Sequence, residues 1–179
     1  MNNINILFNL NTDSASKIYK KGTILQRAGD PSSHLYYVKK GLLKSYTIDK
    51  KGKEHIFMFA PEGWLMSDIE SQEFNKEAVL FFECLEDSDL IKISKEQSTR
   101  DDLSKEQYLH MSSLLLRRVG VLQRRIIMLM SASAKERYEH FLETYPELPN
   151  RLPQRLIASY LGITPESLSK IRGEMLREK

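Results

Sequence analysis

Hydrophobic and polar positions change period once along this chain. Up to about residue 95, apolar, β-branched and aromatic residues come in short runs: Ile18-Tyr19, Thr23 to Leu25, Leu35 to Val38, Leu42 to Ile48, His55 to Phe59 and Asp89 to Ile93. Turn formers separate them at Lys21-Gly22, Gly29-Asp30-Pro31, Lys40-Gly41, Asp49 to Gly52 and Pro61-Glu62-Gly63. Short strands at near-regular spacing predict an antiparallel sandwich or barrel, because parallel strands would need helical crossovers between them.

From about Leu103 the period becomes helical. Tyr108, Ser112, Leu115, Val119, Leu122, Ile126 and Leu129 alternate steps of four and three and so form a seam along one helix. A strict alternation of this kind is the pattern by which a helix pairs with its own copy. Ser112 is a polar interruption suited to holding register. Met111, Leu114, Val121 and Met128 lie off the seam and are expected to pack the helix against the β-rich part. A further helix is predicted over 134–144, ending before Pro146 and Pro149.

The stretch QRLIASYLGITPESLSKIRG, from Gln154 to Gly173, predicts two short helices split by Gly162. Leu156, Ile157, Leu161, Ile163, Leu168 and Ile171 supply a shared core, and Ala158 is small enough for two helices to cross there. Thr164 suits the N-cap of the second helix and Pro165 its first turn. Glu166, Ser167, Ser169, Lys170 and Arg172 are expected to face outward. Hydrogen-bonding side chains at a helix start, followed by cations, suit base edges and phosphates in a DNA major groove. Gln154 and Arg155, opening the first helix, suit phosphate contacts, as does Thr164 at the turn.

Composition narrows the function. No apolar run is long enough to span a membrane, and the first residues lack the order of a secretion signal, so a cytoplasmic location is expected. The single cysteine, Cys84, excludes an internal disulfide and cannot by itself hold an iron-sulfur cluster or a zinc ion; its apolar neighbours predict burial. His34, His55, His110 and His140 show no metal-ligand spacing. The net charge of +3 is uneven: residues 1–53 hold ten basic against three acidic side chains, and residues 54–106 five against fourteen. The acidic middle would repel a polyanion that the basic C-terminal segment tolerates. No acid-base pair, nucleophile with a neighbouring histidine or phosphate-cradling glycine loop is present, so no enzyme is expected.

A β-rich front, a seam helix and a terminal helix-turn-helix, in that order, resemble the Crp/Fnr family of bacterial transcription regulators over nearly the whole chain. The matching residues in front are Lys21-Gly22, Gly29-Asp30, LYYVKKG from Leu35 to Gly41, Gly52, Pro61-Glu62-Gly63 and CLEDSDL from Cys84 to Leu90; the helix-turn-helix matches behind. The resemblance implies an α+β protein: a double-stranded β-helix (jelly roll) sensor domain over 1–102, a dimerisation helix over 103–131, and a helix-turn-helix domain with a reduced wing over 132–179. It implies double-stranded DNA, a second copy of the chain and RNA polymerase as partners, with signals changing the relative placement of the two recognition helices. The strands that usually precede the helix-turn-helix are expected to shrink to ELPNRLP, giving modest affinity and a shallow salt slope.

Two departures from the family are chemical. Members that bind cyclic nucleotides use a cassette beginning Gly-Glu and ending Arg-Ser; aligned through Gly63 and Cys84, these become Ser67-Asp68 and Ala78-Val79. The guanidinium that neutralises the phosphate is gone, and Lys76 nearby is a point charge on a flexible stem, so the effector pocket reads as degenerate and no cyclic AMP response is expected. In the recognition helix the family's opening Arg-Glu and the later Arg become Pro165, Glu166 and Lys170, which implies a different operator. The competing reading is a ligand-sensing or scaffolding module whose helical tail binds a protein. The effector remains open.

Overall fold

The computed structural model describes residues 16–31, 34–94 and 104–178. The expected boundary at 102/103 and the first fifteen residues, on which the expectation about a secretion signal rested, lie outside the described residues. The chain divides into two compact units, Met1–Ser113 and Leu114–Lys179. No helix of the described residues is long and apolar enough to cross a membrane.

The first unit holds β1 (Lys17–Tyr19), β2 (Ile24–Gln26), β3 (Leu35–Lys40), β4 (Leu43–Ile48), β5 (Glu54–Ala60), β6 (Leu65–Met66), α1 (Ile69–Phe74), β7 (Phe81–Cys84) and β8 (Ser88–Ile93). They form two antiparallel sheets, ordered β1-β8-β3-β6 and β2-β7-β4-β5. This is the expected jelly roll. Alternation puts Tyr36 and Val38 of β3 into the core with Met66 and Leu90, facing Leu43, Met58, Ala60, Phe82 and Cys84 of the second sheet. Tyr36 and Phe82 meet edge-on between the sheets, with centroids 6.2 Å apart.

The strands read from the sequence lie within a residue or two of those observed, but three elements were not expected: β6, α1 and β7. β7 escapes a period-two reading because both its faces are aromatic. Phe82 fills the core, while Phe81 stacks on Tyr46 at 5.2 Å on the opposite face. Lys44, 4 % exposed, lies over the Tyr46 ring at 4.1 Å and pairs with Glu54 at 2.7 Å and Glu83 at 3.0 Å. Burial, with Glu83 and Glu54 close by, pushes the Tyr46 hydroxyl up to about 12.

Helix α2 runs Lys105–Ser131, followed by α3 (Ala134–Thr144), α4 (Leu148–Arg151), α5 (Gln154–Leu161) and α6 (Pro165–Arg177). The α3 bounds are those read from the sequence. Its start is fixed by a capping box, in which the Ser133 hydroxyl accepts from Glu136 N while Glu136 accepts from Ser133 N. One expectation fails here. ELPNRLP forms the short helix α4 rather than shortened strands, because Leu148 turns inward to 1 % exposure and its carbonyl accepts from Leu152 N at 2.9 Å. Among the described residues of the second unit there is no strand.

Candidate DNA-binding and dimer surfaces

The core of the second unit is aromatic. Tyr138, Phe141 and Tyr145 project from α3 and its C-terminus, and Tyr160 of α5 packs on Phe141 at 5.5 Å and on Tyr145 at 5.8 Å. Leu156, Ile157, Ala158 and Leu161 are buried on α5, and Leu168 and Ile171 on α6. The turn between these helices needs a left-handed residue. Gly162 supplies it at φ 68°, and Ile163 N donates back to Ala158 O at 3.0 Å. Thr164 then caps α6, its hydroxyl accepting from Ser167 N at 3.2 Å, and Pro165 occupies the first turn.

Glu166, Ser167, Ser169 and Lys170 are exposed along one side of α6, as are Gln154 and Arg155 at the start of α5 and Thr164 in the turn. Arg172 departs from expectation. It is half-buried, since position 172 lies four residues beyond buried Leu168 and so borders the packed side of the helix. Two outward groups are bonded locally. Hydrogen bonds from the Glu166 backbone N–H and the Thr164 hydroxyl hold the Glu166 carboxyl below its usual range, and the Ser167 hydroxyl lies 3.1 Å from that of Thr164. Lys170 stands 3.9 Å from Glu174 with its side chain 79 % exposed.

Of the seam, Tyr108, Leu115, Val119, Ile126 and Leu129 are exposed, Ser112 and Leu122 half-buried. Leu109, Leu116 and Met130, each one residue beyond a seam position, are exposed too and widen the apolar face. A narrow step-of-three-and-four template passes over them. Val121, expected to be packed, is 53 % exposed, while Met128 is half-buried; the side chains of Met111 and Leu114 lie outside those described.

The seam helix is tied to the helix-turn-helix directly. Arg125 Nη2 donates to Tyr160 O at 3.1 Å, and the guanidinium lies 3.7 Å from the centre of the Tyr160 ring. Leu129 borders the turn, and a Cβ added at Gly162 would lie 3.9 Å from Leu129 Cδ2. Sequence reasoning missed Arg125, which has no signature without its partner. Arg125→Ala is expected to cost about 1 to 2 kcal/mol in thermal unfolding, and Arg125→Lys about half of that, because lysine keeps the charge but not the planar stack.

The four residues of the degenerate pocket gather around α1. Ser67 is half-buried, Asp68 caps α1 from a 2 % exposed position, Ala78 is buried and Val79 exposed. Lys76, close by in the sequence, is paired with Glu70 at 2.6 Å. Ala78 contributes a buried methyl at the position aligned with the arginine of cyclic nucleotide-binding members. Cys84 is fully buried, and burial pushes its thiol up to about 11.

Comparison with known proteins agrees with this architecture. Residues 16–100 match the Cyclic nucleotide-binding domain family. The chain is 31% identical over 174 residues to the Fumarate and nitrate reduction regulatory protein of Salmonella typhi, covering 88% of this chain and 67% of that protein. It is 27% identical over 176 residues to the Anaerobic regulatory protein of Pasteurella multocida (strain Pm70), covering 89% of this chain and 62% of that one, so it spans less than two thirds of the latter's length. In structure it is similar to FixK2 from Bradyrhizobium japonicum, with a TM-score of 0.78 at 17% identity over 92% of this chain and 85% of that chain. The chain belongs to the Crp/Fnr family of transcription regulators. The family is one of regulators, not of enzymes.

Proposed function

We propose that the protein is a homodimeric, sequence-specific DNA-binding regulator of transcription that does not respond to cyclic AMP. The observation that carries this reading is the α5–α6 pair: a helix-turn-helix with a capped second helix whose first turns expose Glu166, Ser167, Ser169 and Lys170 and no large apolar side chain. Two such helices, related by the two-fold axis of paired α2 seams, would enter successive major grooves about 34 Å apart on a pseudo-palindrome. The expected three-part layout, with a sensor over 1–102, a pairing helix over 103–131 and a DNA-binding part over 132–179, is retained as part of this proposal. DNA and a second copy are the proposed partners, acting in the cytoplasm; RNA polymerase follows from family membership alone.

Glu166 would accept from a cytosine amino group, Lys170 would meet a guanine or a phosphate, and Gln154 and Arg155 would hold the backbone. Reading cytosine requires the ionised carboxylate. Because hydrogen bonds to that form lower the Glu166 pKa, the acceptor is present above this lowered value and lost only as pH falls through it. Discrimination at that base is therefore expected to be constant between about pH 6 and 8.

The test is an electrophoretic shift with fragments selected from a random pool, at low and high salt. Alanine at both Glu166 and Lys170 is expected to weaken the specific complex on the order of 100-fold while leaving weak non-specific binding in place. A specific complex untouched by the double change would overturn the role of α6. Loss of a protein contact instead of a DNA shift would favour the scaffolding reading.

A further inference from the structure

A phosphate-bearing ligand needs donors that nothing else occupies: a guanidinium, a hydroxyl or free backbone N–H groups. Between Ser67 and Leu80 several of the donors of this chain are already committed. Ala78 N donates to Asp30 O at 2.8 Å, and Ala78 O accepts from Gly29 N at 2.8 Å. Val79 N and Leu80 N both donate to Asp68 Oδ2, at 2.8 and 3.0 Å, and Ser71 N donates to Asp68 Oδ1 at 3.3 Å. Leu80 O accepts from Gln26 Nε2 at 2.8 Å, so both backbone polar groups of Leu80 are held by side chains. The Ser71 hydroxyl is spent on Lys76 O at 2.8 Å.

We propose that Asp68 is a resident anion. Its buried carboxylate takes, from within the chain, the backbone donors that an anionic effector would use, and holds the 67–80 segment closed. Hydrogen bonds to an ionised acceptor are about twice as strong as neutral ones, and here three converge on one side chain shielded from water. A second anion brought to the same donors would have to displace this one against direct charge repulsion. The segment is thereby a structural clasp rather than a receptor for phosphates. The inference deepens the cyclic AMP part of the proposed function and is independent of DNA binding.

Three measurements on the full chain test it. In the unaltered protein the Val79 and Leu80 amides are expected to exchange with deuterium on the order of 1,000-fold more slowly than in an unfolded chain; unprotected amides overturn the proposal whatever any variant does. Asp68→Ala is expected to lower Tm by roughly 5 to 10 °C, since it strands three donors. Formate, compared with equal chloride, should recover several degrees in that variant and none in the unaltered protein. No loss of Tm, a loss that formate does not relieve, or a formate response in the unaltered protein each overturns the idea. If the alanine variant does not fold, Asp68→Asn, which keeps one acceptor oxygen, is expected to show a smaller loss, and an unchanged Tm there counts against the clasp. Cyclic AMP should not bind the unaltered protein at millimolar concentration. Binding would overturn both this inference and the cyclic AMP reading, whereas unprotected amides without binding would remove the inference alone.

Discussion

Glutamate at both Val119 and Ile126 is expected to leave the protein monomeric and to abolish its specific DNA complex. The two positions are 52% and 58% exposed in the single chain, so charges there remove little packing within the protomer. In a paired seam each would bury about 1.5 kcal/mol or more of apolar contact, counted twice by symmetry, and four carboxylates would face one another across the axis. A loss on the order of 1,000-fold or more in dimer affinity follows, readable by sedimentation equilibrium. Specific binding should fall with it, because one recognition helix reads only a half-site. The thermal stability of each protomer should change by less than about 1 kcal/mol, which separates lost pairing from lost folding. A dimer that survives the double change would place the contact elsewhere.

Gly41→Ala is expected to be the most destabilising single methyl in the β domain. Gly41 turns the chain from β3 into β4 at φ 105°, its N–H donating to Glu62 Oε1 at 2.9 Å. A Cβ built there would overlap the Ser88 hydroxyl and come within 2.7 Å of Ser88 Cα. Ser88 cannot swing aside: it is paired with Tyr19, its hydroxyl accepts from Leu42 N, and that hydroxyl donates to Glu86 O at 2.8 Å. The left-handed backbone alone costs an alanine about 1 to 2 kcal/mol, and the overlap raises the total to roughly 3 kcal/mol or more. A Tm fall of about 15 °C is expected for a unit of this size. Gly52→Ala is the control, since a Cβ there meets nothing within 4 Å and carries only the backbone cost. Equal effects at the two sites would show that the approach to Ser88 is tolerated.

Local chemistry made much of the architecture legible. Turn residues bounded β2, β3, β4 and β5, a four-three alternation marked α2, and the agreement of cap, glycine and core positions between Gln154 and Ile171 identified the helix-turn-helix. Failures came where a residue's surroundings override its own preference. Phe81 and Phe82 are consecutive aromatics that point to opposite faces, and no periodicity distinguishes the one that enters the core. Glu147 to Pro153 read as remnants of strands, yet burying Leu148 and Leu152 favours a helical turn. Arg172 looked like an outward cation by residue type and is half-buried by its place four residues after Leu168.

By itself the sequence determined the order of the parts, the helix-turn-helix with its polar outward face, and the missing guanidinium at Ala78, because each depends on residue identity or on spacing within a few turns. Only the tertiary structure decided that Asp68 gathers the amides of Ser71, Val79 and Leu80, that Arg125 clasps Tyr160, and that Gly41 must lie against Ser88. Those contacts join residues up to 47 positions apart, as Gly41 and Ser88 are. They exist because two sheets or several helices close over a shared core, and no local preference encodes which distant groups then come within hydrogen-bonding reach.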